Sequence, residues 1–181
     1  AIFLSVLAAL PRLYRLGLVE FKHDEAKHYR TIYFLTKGAW RWVGAGSSQS
    51  ILPKPPLFTY ILTIPMALSR DPRLATAFLG ALAALAAGAF YLVLRRFLGK
   101  KASFSAALLF ALNPQAILYA RKLFTADLLP PLCTLFLAAG VAILESSRRR
   151  IGRWAVLSAF TFALLILIGS ASGLNKATDL R

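Results

Sequence analysis

The sequence is poor in charged residues, in acidic residues and in cysteine. Charged residues make up 16% of its 181 positions and hydrophobic residues 58%, whereas a soluble domain is ordinarily about 25% charged and about 45–50% apolar. Asp and Glu together number 7, against 22 Lys and Arg. The scarcity of charge argues against a soluble domain, and the single cysteine, Cys133, excludes a disulfide within the chain.

Long apolar runs are the most prominent feature of the sequence. Two of them cover residues 74–94 and 128–144. About 20 mostly apolar residues allow a helix to cross the roughly 30 Å hydrocarbon core of a bilayer. Neither run alternates polar and apolar residues as a membrane barrel would. The sequence therefore predicts an all-α, polytopic bundle of transmembrane helices.

The order of polar and apolar stretches predicts one membrane domain. Residues 1–11 would form the end of a first span, 12–55 an outer loop with amphipathic juxtamembrane helices, 56–169 the membrane helices and 170–181 a polar tail. The first apolar stretch is only half as long as a span, so we expect the chain to be a fragment of a longer membrane protein. Residues 55–70 are apolar but short, and crossing, re-entrant and interfacial placements all stay open for them. The apolar stretch at 102–120 is expected to be a span broken at Asn113–Pro114.

Two basic loops predict the orientation in the membrane. RRFLGKK at 95–101 and ESSRRRIGR at 145–153 are rich in Lys and Arg, which favours the cytoplasmic side. The hairpin between them would then turn on the outer side. Because the net charge of +15 accompanies membrane spans, we expect contacts with the lipid bilayer and with phosphate, and no nucleic acid. Arg12 and Arg15 are expected to snorkel to the interface.

The stretch FKHDEAKHYR at 21–30 carries the first candidate site. Asp24, at the membrane surface and in contact with water, could act as a general base toward a hydroxyl group, with Glu25 beside it. The neighbouring cations Lys22, Lys27 and Arg30 would attract a phosphate. The alternative is a solvated acidic patch on an amphipathic helix, loosely paired with the same cations.

Two later stretches add candidates for phosphate binding. Lys54 lies in LPKPPLFTY (52–60), where its ammonium group could bind phosphate or could merely snorkel ahead of a helix. Asp127 opens a membrane run, and ionisable groups in such places are often functional. Arg121 and Lys122, just before it, could hold a phosphate. The alternative is that Thr125 or Asp127 caps the following helix.

The two histidines, His23 and His28, raise the question of a metal site. Asp24 and His28 are four residues apart and would share a helix face, so both are weak candidates as ligands of a divalent metal ion. The alternative is that both histidines are ordinary surface residues. A metal cofactor therefore stays open.

Taken in order, these stretches resemble the C superfamily of membrane glycosyltransferases (GT-C). The pattern runs from RLYRLG at 12–17 through DEA at 24–26 and KPPL at 54–57 to YARKLFTAD at 119–127. The branch it resembles comprises the dolichyl-phosphate-mannose protein mannosyltransferases and the lipid A aminoarabinose transferases. The resemblance covers nearly the whole chain but only about the first third of such an enzyme.

The resemblance implies roles for individual residues. Asp24 would be the acceptor-activating carboxylate with Glu25 beside it, Lys54 would contact the donor's phosphate or sugar, and Asp127 would face the same cavity. Arg121 stands where the family often has a basic residue. His28 and Tyr29 stand near the family's usual Arg-Tyr, which places Tyr29 among the substrate-binding candidates. Some relatives carry a metal-binding Glu immediately before KPP, where this chain has Pro53.

The implied activity is the inverting transfer of a sugar from a polyprenyl-phosphate donor to a hydroxyl acceptor on a lipid, glycan or protein. The implied location is the extracytoplasmic side of a prokaryotic inner or plasma membrane. Two other readings stay open: a transporter or flippase of a lipid-linked substrate, with Asp24 and Asp127 as ion-coupling carboxylates, and a non-catalytic truncated membrane protein. We expect this fragment by itself to be inactive.

Overall fold

The structure, a computed structural model, describes residues 1–18, 22–39, 56–145 and 153–166. In these segments the chain forms helices and turns and no strand, which confirms the all-α class. The described helices are α1 (Ile2–Leu13), α2 (His23–Thr36), α3 (Leu57–Leu68), α4 (Pro72–Leu94), α5 (Lys100–Leu112), α6 (Pro114–Tyr119), α7 (Leu129–Glu145) and α8 (Arg153–Ile166). Short 3-10 turns occupy Leu16–Leu18 and Thr125–Leu128.

Two helical stretches of the described chain are long and apolar enough to cross a membrane. They are Pro72–Leu94 and Thr125–Glu145. Helices α1, α3 and α8 are apolar but shorter. At a rise of about 1.5 Å per residue, the 12 residues of α3 span roughly 18 Å, against about 30 Å of hydrocarbon. Helix α3 is therefore too short to cross a bilayer alone.

Glycines let α1 and α4 pack closely in antiparallel directions. The ideal Cβ position at Gly80 lies 3.3 Å from Leu13 Cδ2, near the end of α1. Two turns further along α4, the same position at Gly88 would overlap Ser5 Oγ and lie 3.1 Å from the carbonyl oxygen of Ala1. Because a side chain at Gly88 would push the helices apart, this glycine sets their distance.

Helix α7 runs parallel to α4, and α5 runs antiparallel to both, which gives the bundle two distinct ends. Arg96, after α4, forms an ion pair with Glu145 at the end of α7, with an N–O distance of 3.4 Å. Lys100 and Lys101 begin α5 at the same end, which we call the basic end. Residues 146–152, which form most of the second basic loop, lie outside the described residues, so a shared side for both basic loops stays a prediction.

The break predicted at Asn113–Pro114 separates α5 from α6. Asn113 Oδ1 accepts hydrogen bonds from the backbone N–H groups of Gln115 and Ala116, at 2.9 and 3.2 Å. Pro114 occupies the first position of α6, where its missing N–H and fixed φ cost least. The chain therefore leaves α5 at Leu112 and starts a new helix in another direction.

Helices α2 and α3 cover the other end of the bundle, which we call the acidic end because Glu25 and Asp127 lie there. An apolar cluster joins both helices to α4 and to the turn at Thr125–Leu128; its fully buried members are Ile32, Phe58, Leu62, Met66, Ala75, Leu79, Leu123 and Leu128. The hydroxyl of Tyr29 also donates a hydrogen bond of 2.7 Å to the carbonyl oxygen of Arg70, between α3 and α4. These contacts fix α2 in place beside the turn.

The contact at Gly88 predicts an effect on stability. We expect Gly88→Ala to destabilise the protein by about 1–3 kcal/mol, the usual cost of overpacking, because the added methyl group meets Ser5 and the backbone of α1. The matched control is Gly140→Ala in α7, where an added Cβ has nothing within 4 Å. Thermal denaturation in detergent micelles measures both. Equal melting temperatures for the two variants would contradict the packing argument, and Ser5→Ala should partly rescue Gly88→Ala.

Candidate functional site

Glu25 is a buried carboxylate at the start of α2. Its side chain is 7% exposed, and Oε2 accepts a hydrogen bond of 3.3 Å from the backbone N–H of Lys22. This bond satisfies one of the N–H groups left over at a helix start. Burial shows that Glu25 does not belong to a solvated patch. Asp24 precedes it on the same helix, and the structure describes the backbone of Asp24 but not its side chain.

Asp127 lies in the 3-10 turn that leads into α7. Its side chain is 5% exposed, and Oδ2 accepts a hydrogen bond of 3.1 Å from the backbone N–H of Phe124. Asp127 therefore closes the 3-10 turn in which it lies, and the predicted capping of α7 by Thr125 or Asp127 stays a prediction. The bond engages one carboxylate oxygen, and Asp127 also lines a cavity described below.

The fold brings Glu25 within electrostatic range of Asp127, although the two residues are far apart in sequence. The Asp127 carboxylate lies within electrostatic range of the negative charge of Glu25 and of the positive charge of Lys122. Partial burial makes such interactions stronger than they are in water. The shared apolar cluster explains the approach, since Ile32 of α2 and Leu128 of the turn both belong to it.

The cationic candidates have different surroundings. Arg121 donates from Nη1 to the carbonyl oxygen of Pro11 and from Nη2 to that of Arg15, each at 3.2 Å. Its guanidinium thus ties the segment before Asp127 to the end of α1, a contact different from the phosphate binding predicted for it. Lys122 is half-buried. The candidate Lys54 lies outside the described residues.

The aromatic and histidine candidates on α2 make contacts that hold this helix against its neighbours. Tyr29 is held by its hydrogen bond to Arg70. His28 is 3% exposed, and its ring meets that of Phe58 edge to face, with centroids 5.2 Å apart. His28 is therefore not a surface residue as the alternative supposed, whereas His23 is exposed. The described side chains include no group of three or more His, Cys, Asp or Glu residues able to hold a metal ion.

A cavity of about 480 Å³ opens beside Asp127, within the usual size range of ligand pockets. It lies among α1, α4, α5, α6 and the start of α7, and its lining residues are Arg12, Ala83, Phe110, Asn113, Gln115, Ala116, Tyr119, Ala120, Phe124, Ala126, Asp127, Leu129 and Pro130. Most of these side chains are apolar. The polar ones include a cation and a carboxylate, so the cavity suits an amphiphilic molecule.

Arg12 is the member of this cavity that the sequence analysis placed wrongly. It was expected to snorkel to the interface, but its side chain is 1% exposed. Nη1 donates to the carbonyl oxygens of Ala8 and Ala111, at 2.8 and 2.7 Å. The sequence did carry a signal, because Leu4, Ala8 and Arg12 are the buried residues of α1 and follow each other at intervals of four.

Comparison with known proteins identifies the family of the chain. The family model for dolichyl-phosphate-mannose-protein mannosyltransferase matches residues 53–174. The matched region includes Arg121, Lys122 and Asp127 and begins after Asp24 and Glu25. No curated protein and no solved structure gives a significant match. With a helical membrane fold and a match over most of its length, the chain belongs to the dolichyl-phosphate-mannose-protein mannosyltransferase family, a family of GT-C-type membrane glycosyltransferases.

Proposed function

We propose that the protein transfers a sugar from a polyprenyl-phosphate donor to an acceptor hydroxyl at the acidic end of the bundle. The observation that carries this proposal is a pair of buried carboxylates within electrostatic range of each other, Glu25 and Asp127, of which Asp127 lines an amphiphilic cavity. The cost of burying these two carboxylates is partly offset by the backbone N–H groups of Lys22 and Phe124, which donate hydrogen bonds to them. The family supplies the reaction class, glycosyl transfer in a membrane.

The proposed reaction is a single displacement at the anomeric carbon. The acceptor oxygen forms a bond to that carbon while the bond from the carbon to the phosphate oxygen breaks, which inverts the configuration. The acceptor proton passes to a carboxylate, and the bonding electrons leave with the polyprenyl phosphate. A general base and charge stabilisation of the leaving group are both required.

Asp24 is the proposed base, following the resemblance of the DEA stretch. Its neighbour Glu25 begins α2 in a buried position and would hold this helix end against the site. Asp127 would orient the sugar or the acceptor through hydrogen bonds to hydroxyl groups. Lys122, within electrostatic range of Asp127, and Lys54 would offset the charge of the departing phosphate.

The two ends of the bundle support a proposed orientation. The basic end carries Arg95, Arg96, Lys100 and Lys101 and would face the cytoplasm by the positive-inside rule. The acidic end carries cations as well, among them Arg70, Arg73, Arg121 and Lys122, so the proposed orientation rests on the basic loops and not on a charge difference between the two ends. The acidic end, with the cavity, would then face the outer side of a plasma or inner membrane, where lipid-linked donor and acceptor meet.

Replacing Asp24 tests the base directly. In the complete protein reconstituted in liposomes, Asp24→Asn is expected to lower the transfer rate by about 10²–10⁴-fold, the usual worth of a positioned base. The control is Asp71→Asn, at the exposed start of α4, because Asn caps a helix as well as Asp does. Transfer of radiolabelled sugar from a polyprenyl-phosphate donor measures both. An undiminished rate in Asp24→Asn would remove Asp24 from the mechanism.

The approach of Glu25 and Asp127 predicts coupling between them. Glu25→Gln and Asp127→Asn each keep an oxygen for the capping hydrogen bond and lose the charge, and each should lower the transfer rate roughly tenfold or more, or about 1.4 kcal/mol. The double variant should lose less than the product of the two single losses, because neighbouring groups act together. Fully independent losses would show that the two carboxylates serve different sites.

Cysteine labelling tests the orientation. In a Cys133→Ala background, Arg70→Cys at the acidic end should react with a membrane-impermeant maleimide on intact cells. Lys100→Cys at the basic end should react only after the membrane is permeabilised. The reverse pattern would place the carboxylates on the cytoplasmic side and contradict the proposed orientation.

A further inference from the structure

The guanidinium of Arg12 is only partly used by the protein. Nη1 is held by the carbonyl oxygens of Ala8 and Ala111. Nε is buried and has no hydrogen-bond partner, and Nη2 has no acceptor among the residues that the structure describes. One edge of the group is therefore anchored, and the opposite edge, which carries Nε and Nη2, is left without partners.

The buried positive charge of Arg12 needs a compensating negative charge. Arginine stays charged under all ordinary conditions, and a buried charge without a counterion is costly. Within the described segments, no carboxylate lies within ion-pair distance of Arg12; the described pair is Arg96–Glu145 at the basic end. The edge formed by Nε and Nη2 matches two oxygens of one phosphate group, which is the geometry of a bidentate contact.

The cavity around Arg12 is built for a molecule with a polar head and an apolar chain. Ala83, Phe110, Ala116 and Leu129 contribute apolar walls. Asn113 and Gln115 line the same space. A phosphate alone would leave most of these walls in contact with water, whereas an attached hydrocarbon chain would cover them.

We propose that Arg12 binds the phosphate group of a polyprenyl phosphate whose first isoprene units occupy the cavity. The chain type rests on the proposed function, whereas the phosphate rests on the unpartnered edge of Arg12. Asp127 lines the same cavity and would repel a phosphate, and the nearby charge of Lys122 offsets part of that repulsion. Arg12 of α1 would thus bind the phosphate together with the lysines at 54 and 122.

Binding experiments with three probes test the proposal. Farnesyl phosphate, farnesol and inorganic phosphate are titrated separately into the complete protein in detergent, without acceptor or sugar donor. Farnesyl phosphate should bind roughly tenfold or more tightly than either other probe, because it alone satisfies both the guanidinium edge and the apolar walls. Inorganic phosphate binding as tightly as farnesyl phosphate would instead mark a site for the free anion and overturn the assignment of the chain.

Two variants distinguish a role of Arg12 in phosphate binding from a role in folding. Arg12→Lys keeps a cation that can still donate to the carbonyl groups of Ala8 and Ala111 but loses the two-nitrogen edge. It should keep the melting temperature and bind farnesyl phosphate roughly tenfold or more weakly. The control is Arg96→Lys at the basic end, which should change neither quantity. A folded Arg12→Lys protein with wild-type affinity would overturn the proposal.

A cavity variant covers the case in which Arg12→Lys fails to fold. Ala116→Phe, at a half-buried position of the short helix α6 that lines the cavity, reduces the cavity volume while keeping Arg12 and should weaken farnesyl phosphate binding by a similar factor. Unchanged affinity in Ala116→Phe would overturn the proposal independently. Sugar transfer is measured in parallel: binding without transfer would count against the proposed function alone, and transfer without binding at Arg12 would count against this inference alone.

Discussion

The apolar cluster between α2, α3, α4 and the turn before α7 holds the candidate site together. Ile32, Leu79 and Leu128 come from distant parts of the chain and are almost fully buried in one cluster. Burial of a large aliphatic side chain contributes about 1.5–3 kcal/mol, so the cluster can fix positions that the charged residues alone would not hold. Glu25 and Asp127 would otherwise repel each other, and their approach depends on this packing.

Two arginines reinforce the same end of the bundle with backbone contacts. Arg12 connects α1 to the last turn of α5 through Ala111, and Arg121 connects the segment before Asp127 to the carbonyl groups of Pro11 and Arg15. Carbonyl groups at helix ends lack partners within their own helix, and in a hydrocarbon environment each missing bond is expensive. Guanidinium groups supply several donors at once, which explains why basic residues lie inside an otherwise apolar bundle.

The sequence predicted the features that depend on local pattern. The runs around 74–94 and 128–144 predicted the two helices long enough to span, and Asn113–Pro114 predicted the break between α5 and α6, because span length and helix capping are properties of neighbouring residues. The ordered motifs also indicated the family. The matched region confirms this family from residue 53 onward.

The positions that the sequence did not predict depend on contacts between distant residues. Arg12 was expected at the interface and is buried, since its second acceptor is 99 positions away. A surface position was one of the two readings of His28, which instead is buried and packs against Phe58 of another helix. Arg121 reaches carbonyl groups more than 100 positions away. Residue type and spacing do not indicate which distant residues will be in contact, so only the three-dimensional structure identifies these partners.

The two hydrogen bonds from Arg121 to the end of α1 have a mechanical consequence. Residues 11–15 and the start of the segment that carries Lys122 and Asp127 are joined at two points, so a tilt of the first helix would be transmitted to the carboxylate six residues further on. Mismatch between helix length and bilayer thickness changes the tilt of a membrane helix, so bilayer thickness would in this way adjust the geometry around Asp127.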